Sequence, residues 1–197
     1  MKYREYKYLI LSDLYRYKGS IKFTVLLKCY LFHDTFKYNF WLRTYTYVSD
    51  KYLLKYIFSP IAWLILRHLK FKYGVSIYHT CKIGSGLFIG HIGGIHVNFR
   101  TIIGKNLNIS QEVTIAGANR GKNKGYPVLG DNIYIGPGAK IIGSVKIGNN
   151  VAIGANCVVT TSIPDNSVVV GIPGKVISQD GSTGYVNNTD YDTKLAI

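Results

Sequence analysis

Cysteine, acidic side chains and long apolar runs are all scarce in this 197-residue chain, and each scarcity removes a class of protein. The three cysteines, Cys29, Cys81 and Cys157, are far apart and odd in number. That argues against a disulfide framework or a Cys-x-x-Cys metal site and for buried thiols in a reducing compartment. In the apolar N-terminal part the uncharged run Tyr56 to Leu66 is 11 residues, short of the ~20 that a bilayer-spanning helix needs. The opening MKYREYKYLI scatters charge and leads to no small-residue cleavage site, so no secretory leader is expected and the chain reads as cytoplasmic.

Acidic residues number only 10 against 24 Lys and Arg, a net charge of +14. The imbalance is local. Residues 1–74 hold 14 basic and 4 acidic side chains, and residues 75–197 hold 10 and 6. The basic part is also rich in Tyr, Phe, Trp and Leu, so it reads as amphipathic helix and not as a solvated tail. An anionic membrane surface, a nucleic acid or an acidic carbohydrate are the partners such charge suits. No zinc-finger spacing, basic zipper or RNA-recognition aromatic motif is present, and nucleic acid is not expected.

What the chain does have is a six-residue rhythm. Aliphatic residues stand at Ile77, Ile83 and Ile89, again at Val97, Ile103, Ile109 and Ile115, and again at Leu129, Ile135, Ile141, Ile147, Ile153 and Val159. Glycine often follows, as in IGSG, IGKN, IGPG, IGNN and IGAN. A period of six fits neither an α-helix nor an alternating strand. It fits a three-sided coil, one hexapeptide per face, whose aliphatics point inward and stack on their equivalents one turn later. Gly and Asn tolerate the left-handed backbone of tight corners, which is the structural reading of Asn106, Asn108, Asn149 and Asn150. Two breaks interrupt the rhythm: a two-residue surplus in IGHIGGIHV, between Ile89 and Val97, and an eight-residue surplus in IAGANRGKNKGYPVL, between Ile115 and Leu129. A surplus in a solenoid loops outward.

The segments KIGSGLFIGHIGGIHV, NISQEVTIAGANRGKNKGYPVLGDNIYIGPGAKIIGSVKIGNNVAIGANCVV and IPDNSVVVGIPGKVI resemble the hexapeptide-repeat acyltransferases. Within them the likeness is to the serine acetyltransferase branch and its relatives in bacterial surface-polysaccharide gene clusters. It covers Tyr73 to Ser178 without gaps. The resemblance implies a left-handed parallel β-helix, a homotrimer or dimer of trimers with active sites between subunits, and acetyl-CoA as co-substrate with no metal required.

Moving an acetyl group from a thioester to a hydroxyl needs a base for the hydroxyl proton, a donor for the oxyanion and a narrow groove for the pantetheine arm. An imidazole of pKa ~6.5 suits the base role. His91 lies in the first surplus, directly after Gly90, and matches the base histidine of the family's GLFIDH motif. It is the candidate general base, set against the ordinary reading of a lone surface histidine. His96, between inward Ile95 and Val97, is structural or a substrate contact.

Three positions depart from the serine-specific pattern. Gly90 stands where that branch carries Asp, Ser76 where it carries a second Asp that orients the base, and Tyr126 where it carries a second active-site histidine. Tyr78 and His79 also depart and are given no chemistry. Losing the acidic side chains removes the obvious partner for an amino acid's ammonium group. The expected acceptor is therefore a saccharide, a sugar hydroxyl of a capsular or other surface polysaccharide or its precursor. Serine O-acetylation in cysteine biosynthesis is the alternative, and a non-catalytic β-helix scaffold the second.

Arg120, Lys122 and Lys124 face CoA phosphates or an anionic acceptor, or form a solvated mobile loop. Tyr126 donates to the acceptor or packs. Gly117, Gly136, Gly138, Ala139, Gly154 and Ala155 are the small corner residues along which the family's CoA arm lies, each also explained by turn geometry alone. Lys175, in VGIPGKVI, resembles the CoA-phosphate lysine of the family's Val-Gly-x-Pro-Ala-Lys element. Cys157 sits beside inward residues and is expected to be buried, so transfer is direct.

The three regions expected are a basic, aromatic-rich helical part (1–74), a β-helix acetyltransferase domain (75–178) and a flexible tail (179–197). One helix should end at Gly19, a second should start at a Ser20 cap, and a third should be interrupted by Pro60. These helices either lie in a membrane interface as a peripheral contact, placing the protein at its inner face, or pack on the trimer.

Overall fold

The computed structural model describes residues 1–52 and 54–195. It shows four helices, α1 (Tyr3–Lys18), α2 (Phe23–Phe32), α3 (Asp34–Ser49) and α4 (Leu54–Tyr73), followed by a parallel β-helix and a short last helix, α5 (Tyr191–Leu195). The expected left-handed parallel β-helix with an N-terminal helical region is the fold found.

Six-residue spacing becomes a triangular coil of about five turns. The first face stacks Val75–Ile77, Ile95–Val97, Thr114–Ala116, Lys140–Ile142 and Val158–Val159. The second stacks Lys82–Ile83, Ile102–Ile103, Val128–Leu129 and Lys146–Ile147. The third stacks Phe88–Ile89, Asn108–Ile109, Tyr134–Ile135, Ala152–Ile153 and Val168–Val170, closed by the antiparallel Lys175–Ser178. In register, Ile77 pairs with Val97, Val97 with Ile115, Ile115 with Ile141 and Ile141 with Val159. Every aliphatic of the rhythm is buried except Ile83, which is half-buried at the open end of the second face. At most of these positions a second inward residue stands two places earlier, among them Leu87, Ile95, Leu107, Val113, Ile133, Ala139, Val145, Val151 and Cys157. Burying each such aliphatic is worth ~1.5–3 kcal/mol, so the stack is the main stabilising element.

The corner between the second and third faces carries a ladder of side-chain amides. Asn106, Asn132, Asn150 and Asn166 all have φ between 54° and 59°. Each donates from Nδ2 to Oδ1 of the next, at 2.8, 2.9 and 3.0 Å. Asparagine is thus placed for both reasons it suits a corner: it tolerates left-handed backbone and its amide pairs with its own kind one coil away.

A β-helix leaves its first coil with unpaired backbone groups, an edge that has to be covered. Here α1 and α3 cover it with side chains. Tyr17 Oη accepts from Ile89 N (3.1 Å), Tyr38 Oη from Ile77 N (3.0 Å), Asp13 Oδ1 from Leu87 N (2.7 Å) and Ser12 Oγ from Gly86 N (3.1 Å). Arg43 donates to the carbonyls of Ile83 (2.8 Å) and Gly84 (2.7 Å) and pairs through both Nε and Nη2 with buried Asp13 at 3.0 and 3.2 Å. Burial is the largest influence on the Asp13 carboxyl and pushes it up, opposed by Arg43 and the backbone donors. Burial also pushes the Tyr38 hydroxyl up to about 12, so it stays neutral and able both to donate and to accept.

Several expectations for the helices and tail are corrected. α1 ends at Gly19 as expected, in left-handed conformation with φ 59°. α2 begins at Phe23 with no side-chain cap, and Ser20 Oγ only meets Lys22 N at 3.4 Å. The second helical stretch breaks at His33, whose extended backbone (φ −110°, ψ 102°) separates α2 from α3. Pro60 does not interrupt α4. It lies exposed inside the helix, where water can satisfy the carbonyl that its missing N–H leaves without a partner. The tail, expected to be mobile, is a strap. Tyr185 stacks on Tyr134 at 4.5 Å, Ser182 Oγ donates to Asn132 O at 2.6 Å, and Tyr191 and Leu195 are buried against Tyr15. Tyr191 Oη donates to Asn106 Oδ1 at 2.7 Å, terminating the amide ladder. The polar composition hid these few aromatic anchors.

Replacing Asp13 by Ala strands the Arg43 guanidinium in the interior and frees the Leu87 N–H. The expected loss is ~3–5 kcal/mol of unfolding free energy, with a smaller loss for Asp13→Asn. Chemical denaturation monitored by circular dichroism measures both.

Candidate active site

The two breaks in the rhythm are the two places where the coil opens outward. At the first, Gly90 N still donates to Ile109 O (2.9 Å), and the ladder resumes where Gly93 N meets Tyr73 O (2.8 Å) and Ile95 N meets Gly74 O (3.0 Å). His91 and Ile92 lie between these anchors, both exposed. The return needs glycine: Gly93 has φ 106°, and Gly94 has φ 65°, where a Cβ would lie 3.1 Å from the backbone of Glu112. The two-residue surplus is thus an outward bulge carrying an imidazole at the corner between the third and first faces.

Glu112 is the residue that the sequence reading missed. It occupies the same corner one coil later, in left-handed conformation (φ 59°), with its N–H donating to Gly93 O at 2.7 Å. Its side chain is exposed and its Cγ comes within 3.2 Å of the Cβ position of Gly94. Its only signal in the sequence is a non-glycine, non-asparagine residue at a left-handed corner. Gly90 has room for a side chain: a Cβ there would meet only Phe88 and Ile109 at 3.7 and 3.8 Å.

The second surplus is a hairpin. Ala118 and Gly125 exchange both backbone hydrogen bonds at 2.9 Å, leaving Arg120, Lys122 and Lys124 exposed at its tip. It is not a loose loop: Asn123 O accepts from Ser144 N (2.8 Å) and Asn123 Nδ2 donates to Thr160 O (2.6 Å), tying it across the next two coils. Tyr126 leaves this hairpin half-buried, its ring 2.6 Å from where a Gly117 Cβ would lie, which is why only glycine fits there. Arg100, also unnoticed in the sequence, stacks over the Phe99 and Tyr126 rings at 5.3 and 5.2 Å and meets the Tyr126 hydroxyl at 3.5 Å. Tyr78 continues this aromatic edge, 6.0 Å from Phe99.

The remaining candidates distribute around these two corners. Ser76 and His96 are register partners on the first face, Ser76 buried and His96 exposed. Gly136 and Ala155 occupy the His91 corner two and three coils later, Gly136 so tightly that a Cβ would meet Ala155 N at 2.9 Å. Ala139 is fully buried in the core, and its carbonyl accepts from Thr114 N, so its side chain faces the core and not a ligand. Lys175 is exposed on the strand that closes the third face. The fold therefore gathers Gly90, His91, Glu112, Gly136 and Ala155 at one corner. It places Gly117, Arg120 and Tyr126 at the other edge of the first face.

Residues 126–161 match the family described as Bacterial transferase hexapeptide (six repeats). Among individual relatives, the chain is 42% identical over 135 residues to a protein named Serine acetyltransferase from Staphylococcus aureus (strain N315), covering 68% of this chain and 60% of that one. The chain thus spans about three fifths of the length of that curated relative. By structure it is similar to the serine acetyltransferase of Brucella abortus strain S19, with TM-score 0.75, 24% identity and coverage of 92% of this chain and 72% of the other. It is also similar to a soybean serine acetyltransferase complexed with serine, with TM-score 0.70, 26% identity and coverage of 88% and 70%.

These relatives overturn the expectation of a saccharide acceptor. That expectation rested on the acidic residues missing at Gly90 and Ser76, whereas the curated relative of 42% identity is named a serine acetyltransferase.

All three thiols are buried, and burial raises the pKa of each, Cys81 to about 12. Since the thiolate is the reactive form, the native protein should react with Ellman's reagent at none of them and at all three after denaturation. Absorbance titration of the released thiolate measures the count.

Proposed function

We propose that this chain is an acetyl-CoA-dependent O-acetyltransferase acting on the hydroxyl of serine, with His91 as general base. The observation that carries the reading is the bulge: the coil leaves its hydrogen-bond ladder for two residues, one of them an exposed histidine, and exposed Glu112 occupies the same corner one coil later. The serine acetyltransferases to which the chain is similar support the acceptor and the donor.

In the proposed reaction His91 takes the serine hydroxyl proton as the oxygen attacks the thioester carbonyl. The tetrahedral intermediate collapses with cleavage of the carbon–sulfur bond, and the departing thiolate recovers the proton from the imidazolium. Glu112 holds the substrate ammonium, a charge-assisted contact in place of the aspartate absent at Gly90. Arg100 and Tyr126 lie at the opposite edge of the first face from His91. In the homotrimer proposed here, with sites between subunits, a neighbouring copy would bring that edge to the bulge. The acetyl donor would lie along the corner above His91, past Gly136 and Ala155, with Lys175 or Arg120 on its phosphates. Cys157, fully buried, has no part in transfer.

Serine-dependent release of CoA thiol tests the acceptor; no turnover above thioester hydrolysis sinks it. His91→Ala should lower kcat/KM by ~10²–10⁴-fold with the fold intact. Glu112→Gln keeps the corner conformation and removes the charge. It should raise KM for serine by about tenfold or more with kcat close to wild type, the magnitude of one charge-assisted hydrogen bond.

A further inference from the structure

Among its described residues α4 buries one stripe. Ala62, Leu66, Leu69 and Tyr73, at helical spacing, pack on α3 and the start of the β-helix. Ahead of Ala62 no described side chain of α4 is buried. Tyr56, Ile57, Phe58, Ile61, Trp63 and Leu64 leave between 45% and 71% of their surface open. A contiguous apolar surface of this kind is uncommon on a protein that meets only water.

The charge around it has one sign. From Leu54 to Tyr73 the helix contains Lys55, Arg67, Lys70 and Lys72 and no Asp or Glu. The Arg67 guanidinium lies over the Trp63 and Phe71 rings at 5.5 and 5.2 Å, joining the cationic and aromatic surfaces. We propose that this half of α4 is a peripheral membrane-binding element that lies in the headgroup layer of an anionic bilayer. Ile57, Ile61 and Leu64 reach the acyl boundary, Trp63 and Tyr56 sit at headgroup depth, and Lys55 and Arg67 meet lipid phosphates. Charge complementarity selects this occupant over a second copy of the chain. The charges that border this half of α4, Lys55 and Arg67, are both basic, so pairing this face with itself would bring like charges together. No helix among the described residues is long and apolar enough to cross the membrane, so the contact is in-plane. The proposal is independent of the acetyl-transfer reading.

The test is sedimentation of the full chain with vesicles. It should pellet with phosphatidylcholine vesicles containing about 30% phosphatidylglycerol, weakly with phosphatidylcholine alone, and less as salt rises. Trp63 emission should shift to the blue on binding, and Trp63→Phe should abolish the shift. Lys55→Ala with Arg67→Ala should weaken binding about 25-fold, near fivefold for each cation. Ile57→Asp with Ile61→Asp should weaken it at least tenfold. Failure of the wild-type chain to bind anionic vesicles at low salt overturns the proposal, as does binding with no Trp63 shift. If light scattering shows that the Ile57→Asp, Ile61→Asp protein loses an assembly that the wild type forms, and the wild type ignores vesicles, the face belongs to a second copy and the proposal is wrong.

Discussion

The open edge of the first coil is the constraint on which the rest of the molecule depends. Every later coil is templated by the one before it, strand on strand in register. The first has no predecessor, and its backbone donors and acceptors need partners that a strand would otherwise supply. The helical region answers with a set of polar side chains: Ser12, Asp13 and Tyr17 from α1, and Tyr38, Asn39 and Arg43 from α3. A carboxylate and a guanidinium are buried together because each also satisfies backbone groups of the coil. The pair is expensive to desolvate, and the edge it covers would be costly to leave bare.

A template this regular has few places for chemistry, since inward residues are core and ladder residues are committed to their neighbours. Function has to occupy departures from the repeat. The bulge at His91 and the hairpin at 118–125 are those departures. They lie at different edges of the first face, which is why the proposed site looks for its second half on another copy of the chain. The bulge also brings a corner residue into play. Glu112 is at an ordinary turn position, and it becomes a candidate ligand only because the coil below it swings outward.

The sequence reading went wrong where residues were weighed one at a time. Along the chain, Gly90 and Ser76 are losses of negative charge, which by themselves suggest a neutral pocket for a sugar. A residue at the same corner one coil later, as Glu112 is, has no place in a motif read along the chain. The tail's polar composition suggests mobility, yet two tyrosines and a leucine pack it on α1, the third face and the amide ladder. Pro60 was read as a break, and an exposed helix position tolerates it because water can satisfy the freed carbonyl.

By itself the sequence determined the coil, its register, both outward excursions and the identity of the residue carried by the first. Those features follow from local spacing: a period of six dictates which side chains face inward, and any surplus has to leave the surface. Only the tertiary structure decided how the first coil is capped, which residue shares the His91 corner one coil later, where the tail lies and which half of α4 is left uncovered. Those depend on contacts between segments remote in the chain. No periodicity records them, because packing and hydrogen-bond satisfaction are settled only when the segments meet.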